Sequence, residues 1–120
     1  MPNVLKVSVV VEAGTGLALV LAPSAVATLL LGADLSAAAI IVARGFGVAL
    51  IALSIACWTG DGPPEASLQA LRGMVVYNLG LAVLLAYVGS VAGVRGLLLW
   101  PAAALHAVVA LLLMRPQRSH

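Results

Sequence analysis

The sequence predicts an all-α integral membrane protein, an antiparallel up-down four-helix bundle that forms one transmembrane domain over residues 1–120. Apolar residues make up 63% of the chain and charged residues only 8%, against about 45–50% and roughly 25% in soluble proteins. The apolar residues also form four windows, each long enough for the ~20 residues that a membrane-spanning helix needs. So few charges cannot cover so much apolar surface in water, so the expected partner is the lipid bilayer.

The first window covers residues 4–31 and contains Pro23. It is longer than a bilayer requires, and a proline removes one helix hydrogen bond, so we expect this helix to be kinked or broken near Pro23. Residues 25–32 would then form a short helix at the membrane interface. The second window covers residues 35–58 and has no proline.

The third and fourth windows cover residues 66–90 and 93–114. A segment rich in glycine and proline, residues 59–65, separates the second window from the third and predicts an aqueous loop. Glycines and one arginine between residues 89 and 96 predict a tight turn between the third helix and the fourth. A short connection of this kind makes the two helices antiparallel neighbours.

The charges predict the orientation of the chain. With four spans, both termini lie on one side of the membrane, and that side carries the larger share of the six Lys and Arg residues. By the positive-inside rule, both termini are then cytoplasmic in a bacterial inner membrane. The small excess of positive charge does not indicate a nucleic-acid partner. The terminal side carries Lys6, Arg72, Arg115 and Arg118, and the opposite side carries Asp34 and Arg95.

Four polar residues at bilayer depth are the candidate site: Glu12, Arg44, Asn78 and His106. Helical spacing puts Glu12, Asn78 and His106 on stripes of small residues, which are typical of helix faces that pack against other helices. At 1.5 Å per residue, Glu12 and His106 each lie about 12 Å from the cytoplasmic ends of their helices, so they share a level. Arg44 lies beside a further stripe of small residues at positions 45, 49, 52 and 56.

Two further residues are secondary candidates. Arg72 lies about 9 Å from the start of its helix, and its long side chain can reach the interface. Tyr77 is next to Asn78 in the sequence. The lone Cys57 cannot form an internal disulfide, no metal-ligand spacing is present, and a haem would want more than one histidine at depth. We therefore predict no metal site and no cofactor.

The candidate site has two interpretations. In the first, Glu12 forms a structural ion pair with Arg44 or Arg72, while Asn78 and His106 link helices by hydrogen bonds. In the second, Glu12 binds a proton, a cation or a polar ligand, because an ionisable residue inside a membrane marks a functional site by default.

The first half of the chain resembles small bacterial four-helix membrane proteins of the DoxX-like type. The first helix runs through Leu21-Ala22-Pro23 to Leu31-Gly32, and the second opens with Ala43-Arg44-Gly45. This resemblance implies the fold, and many such proteins have no assigned function.

The size, the four spans and the lone acidic residue of the first helix are also similar to small multidrug resistance transporters. That resemblance implies that Glu12 is the shared site for protons and cationic drugs in a dimer. The chain departs from that family, whose cavity is lined by aromatic residues, because it is only 4% aromatic. Arg44 would also repel a cation from the same cavity.

The leading hypothesis is a non-enzymatic membrane protein that binds or moves a small molecule or lipid, or assembles with a membrane protein or a second copy, through this polar centre. One alternative is a proton-coupled exporter. Another is a membrane-embedded enzyme acting on a lipid or isoprenoid, with Glu12 and His106 as acid and base. The last is a purely structural helix-packing subunit.

Overall fold

The computed structural model describes residues 1–116, and this part of the chain is all-α with five helices. The all-α prediction is confirmed. Arg118, which entered the orientation argument, lies outside the described residues. The helices are α1 (Asn3–Leu21), α2 (Pro23–Leu31), α3 (Ala37–Cys57), α4 (Pro64–Ser90) and α5 (Leu99–Met114).

The first apolar window is divided into two helices at Ala22, as its proline predicts. The backbone of Ala22 leaves the helical region with φ −142° and ψ 61°. Pro23 then occupies the first turn of α2, where its missing N–H costs no hydrogen bond. α2 ends at Leu31 and is capped by Gly32, whose positive φ of 63° suits a glycine.

Local sequence signals set the start of α3 and α4. The side chain of Ser36 caps α3 by accepting a hydrogen bond from the backbone N–H of Ala39 at 3.1 Å. α4 begins at Pro64, two residues earlier than the apolar pattern predicts, with Glu65 in its positively polarised first turn. The loop before it is tied to α4 by the hydroxyls of Thr59 and Ser67, which lie 3.0 Å apart.

The fourth apolar window is helical only from Leu99, not from Gly93. Gly93 has a φ of 68°, and the segment after it runs along α2 instead of continuing into α5. The backbone N–H of Leu98 donates to Leu29 O at 2.7 Å, and Gly96 lies so close to α2 that a Cβ there would overlap the backbone of Leu30. Contact with α2 therefore accompanies a non-helical backbone in this segment.

The helices pack as two antiparallel pairs, α1 with α3 and α4 with α5. α1 and α3 cross where Gly16 meets Gly47, since a Cβ built on Gly16 would lie 2.7 Å from Gly47 O. Only glycine at both positions lets the two backbones approach this closely. α2 contacts α1, α3 and α5, so it covers one end of both pairs.

Two apolar clusters lie at opposite ends of the molecule. One joins α1, α3, α4 and α5 around Leu5 and Met74, and the other joins α4 and α5 around Leu85 and Leu99. Among residues 1–116, three of the four buried polar side chains lie between the levels of Leu5 and Leu85: Ser8, Glu12 and Asn78. The packed helices therefore position a polar layer at mid-height.

The outer surface is apolar, with exposed side chains such as Ile41, Val76 and Leu97. Among the described residues, α1, α3 and α4 are long and apolar enough to cross a membrane, and α5 is a shorter apolar helix of 16 residues. The longest dimension, 45 Å, is close to the ~40–45 Å thickness of a bilayer with its headgroups. These features suggest a membrane protein.

Candidate functional site

Glu12 lies on the inward face of α1 and is only 1% exposed. Ser8, one turn earlier on the same face, is equally buried. Both point toward the α4–α5 pair, because their polar neighbours come from those two helices. The predicted inward stripe on α1 thus brings a carboxyl group into the middle of the packed helices.

Asn78 of α4 connects three parts of this layer. Its amide nitrogen donates to Ser8 Oγ at 3.1 Å and to the backbone oxygen of Met74 at 2.8 Å. Its amide oxygen lies 2.8 Å from Nδ1 of His106 on α5. Every hydrogen-bonding direction of the amide except one oxygen lone pair is used, so Asn78 is held in one orientation.

This network determines the protonation of the His106 ring. The Asn78 nitrogen is already a donor, so the Asn78 oxygen must accept, and Nδ1 of His106 must carry the proton. The same Nδ1 lies 3.8 Å from Oε1 of Glu12. In a neutral imidazole, Nε2 is then left with a lone pair that can accept a hydrogen bond.

Tyr77 completes the cluster from α4. Its ring packs edge-on against the His106 ring, with centroids 5.9 Å apart and planes at 82°, and its side chain interacts with the Glu12 carboxyl group. Among residues 1–116, the buried Oε2 of Glu12 nevertheless has no partner at hydrogen-bonding distance. A buried polar atom without a partner is costly and uncommon in proteins, so this oxygen is the least satisfied atom of the cluster.

A cavity of about 250 Å³ adjoins the cluster. Its polar lining consists of Thr15, Tyr77 and His106, and its other walls are apolar side chains from α1 to α5 and the α2–α3 connection, such as Leu81 and Val26. Glu12 does not line the cavity and lies behind Tyr77 and His106. The arrangement can therefore hold a small, mostly apolar molecule and present hydrogen-bonding atoms to its polar group.

Arg44 and Arg72 do not join the cluster. Both side chains are exposed, and within the described part of the chain neither forms an ion pair with Glu12, whose ionisable neighbour at 3.8 Å is His106. The stripe of small residues beside Arg44 is also exposed. α3 packs on α1 through Gly47, which lies on the face opposite that stripe.

Two contributors were not predicted as site residues. Ser8 precedes Glu12 by one helical turn, so the spacing already placed it on the same inward face of α1. A hydroxyl buried on such a face can be expected to form a hydrogen bond with a polar side chain of a neighbouring helix. Thr15 lines the cavity although its hydroxyl donates to Val11 O at 2.9 Å. The wall formed by α2 depends on tertiary packing and has no signal in the sequence.

The cluster does not have the composition of a metal site. Within residues 1–116, no group of three or more His, Cys, Asp or Glu side chains comes together, and structural zinc sites use four such ligands and catalytic ones three. Comparisons with protein-family models, with curated proteins and with solved structures find no match. The likeness to DoxX-like proteins and to small multidrug resistance transporters therefore stays a prediction.

Proposed function

We propose that this chain is a membrane protein that binds a small amphiphilic molecule in the cavity beside His106 and Tyr77. The single observation that carries the proposal is the meeting of a buried polar cluster with an otherwise apolar cavity of about 250 Å³. Buried polar groups in a membrane are expensive and tend to mark functional sites. A cluster that served helix packing alone would have no need of an adjoining cavity.

The chemistry of the cluster indicates the kind of polar group that fits. Nε2 of His106 can accept a hydrogen bond when the ring is neutral, and the Thr15 oxygen keeps lone pairs after donating to Val11. A ligand whose polar group donates, such as a hydroxyl or an amine, suits these acceptors. The cavity lies just below the roughly 300–1,000 Å³ of pockets for drug-sized ligands, so the molecule is small.

Glu12 and Asn78 act behind this surface as positioning residues. Asn78 holds the His106 ring by its Nδ1 at 2.8 Å, and Glu12 lies 3.8 Å from the same nitrogen. Their effect on a ligand passes through His106 and Tyr77, because neither Glu12 nor Asn78 lines the cavity. We expect changes in them to weaken binding without removing a direct contact.

We further propose that α1, α3, α4 and α5 are four spans in a bacterial inner membrane, with both termini in the cytoplasm. At ~1.5 Å per residue α5 is about 24 Å long, and the non-helical segment before it supplies the remaining depth. Lys6, Arg72 and Arg115 lie toward the end where α1 and α4 begin and α5 ends. The opposite end has Arg95 and Asp34, so positive charge favours the first end as cytoplasmic.

The test compares ligand retention in variants that differ only in whether a new side chain enters the cavity. Ala102 of α5 lines the cavity, whereas Ala104, two residues later, is exposed on the outer surface. The full-length protein, Ala102→Phe and Ala104→Phe are each purified in mild detergent. Organic extracts are then analysed by mass spectrometry for molecules present in proportion to protein.

We expect the unmodified protein and Ala104→Phe to carry the same donor-bearing amphiphile, and Ala102→Phe to lose most of it. Retention by Ala102→Phe at the level of Ala104→Phe would contradict the proposal. So would an unmodified protein that carries only bulk membrane lipid. A further variant, His106→Ala, should reduce retention while leaving the cavity open.

A second candidate is a membrane-embedded enzyme acting on a lipid or isoprenoid. The observation that favours it is the 3.8 Å separation of Glu12 Oε1 and His106 Nδ1, because a small side-chain movement would bring this carboxyl group and imidazole within the ~2.6–3.2 Å at which a proton passes between them. The copurified molecule distinguishes the two candidates. An enzyme converts it during incubation with fresh membranes, and a binding protein releases it unchanged.

A further inference from the structure

The cavity beside His106 is not enclosed on all sides. Among the described residues that line it, only Leu31 at the end of α2 and Phe46 on α3 are also exposed at the outer surface. The Phe46 side chain is 43% exposed. A side chain that both lines a cavity and reaches the outer surface lies at the edge of that cavity, so these two residues mark where it opens.

Helical spacing shows that Phe46 faces α4. Leu53 and Cys57 follow Phe46 by seven and eleven residues, so all three lie on one face of α3. Leu53 and Cys57 pack in the apolar cluster that contains Met74 of α4. Phe46 lies two turns nearer the start of α3 on this same face, and there the cavity separates the two helices.

α4 shows the same change along its own face. Met74 packs in the cluster shared with α3, whereas Leu81, seven residues later on the same face, lines the cavity. The second apolar cluster, around Leu85 and Leu99, includes no α3 residue among those described. α3 and α4 are therefore packed together at one end and leave an opening between Phe46 and Leu81 toward the other, the α3–α4 opening.

The rim of the α3–α4 opening is apolar and continues into the outer surface. Val42 precedes Phe46 by one turn and is 71% exposed, and Leu84 follows Leu81 by one turn and is 55% exposed. A polar solute would have to give up its water to pass such a rim, which costs free energy, and a hydrocarbon group would not. The opening therefore suits a molecule that comes from the bilayer.

The alternative approach, from the aqueous end covered by α2, is closed. The backbone N–H of Leu98 donates to Leu29 O at 2.7 Å, and Gly96 packs against the backbone of Leu30 without room for a Cβ. α2 also contacts α1, α3 and α5. A molecule entering at this end would have to break these contacts.

We propose that the ligand enters and leaves the cavity sideways from the bilayer, through the α3–α4 opening and past Phe46. The ligand is then an amphiphile dissolved in the membrane, not a solute taken from water. This inference rests on the proposed function, because it requires that the cavity bind a ligand and that α3 and α4 lie in a membrane.

The test measures a rate, because an equilibrium affinity does not depend on the route of entry. The probe is 1-octanol with a trifluorinated terminal methyl group, and fluorine exchange NMR follows its binding to the full-length protein in bicelles. In a Cys57→Ala background, the pair Phe46→Cys/Leu81→Cys is bridged across the α3–α4 opening by a reducible bifunctional thiol reagent. The control pair is Thr59→Cys/Ser67→Cys, whose native hydroxyls lie 3.0 Å apart, so that the same two helices are bridged at their packed end.

Bridging the opening should slow exchange of the probe by about tenfold or more, which takes only ~1.4 kcal/mol of added barrier, and reduction should restore it. Bridging the control pair should leave the rate unchanged. A variant that needs no bridge, Phe46→Ala, should speed exchange, and Val48→Ala, on an exposed face of α3 outside the cavity, should not.

The outcomes separate the entry route from the proposed function. A bound signal that exchanges equally fast in both bridged pairs would overturn the route and leave the proposed function in place. The absence of a bound signal from every sample, or its persistence in Ala102→Phe, would contradict the proposed function itself.

Discussion

Asn78 is the residue on which the arrangement of the polar cluster most depends. It joins α1 through Ser8 and α5 through His106, and through the second contact it fixes the proton on one nitrogen of a ring that lines the cavity. Hydrogen bonds between membrane helices average about 0.6 kcal/mol each, so the energetic contribution of Asn78 is modest. Its larger effect is on the orientation of His106.

Asn78→Leu should remove the hydrogen bond that fixes the His106 proton on Nδ1. In the unmodified protein we expect the ¹⁵N chemical shifts of His106 to report a protonated Nδ1 and an unprotonated Nε2. In Asn78→Leu the two tautomers should mix, with a loss of about 1–2 kcal/mol in the free energy of unfolding. The measurement is solid-state NMR in bilayers, in a His120→Gln background that leaves His106 as the one histidine of the chain.

Gln69→Leu is the matched control, because it removes an exposed amide from the same helix. It should leave the His106 shifts unchanged. A protonated Nε2 in the unmodified protein would show that the hydrogen-bond network described above is wrong.

At the residue scale, the sequence predicted which polar residues face inward on three helices but not on the fourth. Glu12, Asn78 and His106 each had one stripe of small neighbours, and the structure brings these three together. α3 has small residues on two faces, and periodicity alone cannot tell which face packs. Arg44 was assigned to the cluster from its depth and from the stripe beside it, but α3 packs through the face that carries Gly47, and Arg44 is exposed.

At the scale of the helices, the crossing of α1 and α3 depends on two glycines. A Cβ on Gly16 would lie 2.7 Å from Gly47 O, and a Cβ on Gly47 would lie 2.6 Å from Gly16 O. Neither obstacle is a flexible side chain, so an alanine must push the helices apart. Because α1 carries Glu12 and lines the cavity with Thr15, this movement would also reach the site.

Gly16→Ala should therefore lower the free energy of unfolding by about 1–3 kcal/mol, the usual cost of overpacking. Gly14→Ala is the matched control on the same helix, since nothing lies within 4 Å of its Cβ position. It should leave stability unchanged or raise it by up to about 1 kcal/mol through better helix propensity. Thermal unfolding in detergent checks both variants, and equal effects would contradict the described crossing.

Of the helix boundaries, the break between α1 and α2 was predictable from the sequence, and the start of α5 was not. The break between α1 and α2 can be predicted from the sequence, because the missing backbone N–H that interrupts the helix is a property of Pro23 itself. The start of α5 depends on the hydrogen bond from Leu98 to Leu29 and on the contact of Gly96 with α2. These are contacts between segments distant in sequence, and apolar composition does not reveal them.

At the scale of the whole molecule, two antiparallel helix pairs meet at a polar layer and leave a cavity under α2. The all-α class followed from composition and window length, and three long apolar helices agree with a membrane protein. The cavity could not be predicted, because it depends on how α2 folds back over both pairs. The proposed function therefore requires that this cavity hold a molecule against the polar cluster.

A crystal structure of the full chain, prepared from its own membranes and grown in a lipid phase, tests this most directly. We predict elongated density that contacts His106 and Tyr77 at one end and extends between the apolar walls toward α2. The same density should be absent from crystals of Ala102→Phe and present in those of Ala104→Phe. A cavity filled by repacked side chains, or a Glu12 side chain turned outward to lipid, would contradict the account.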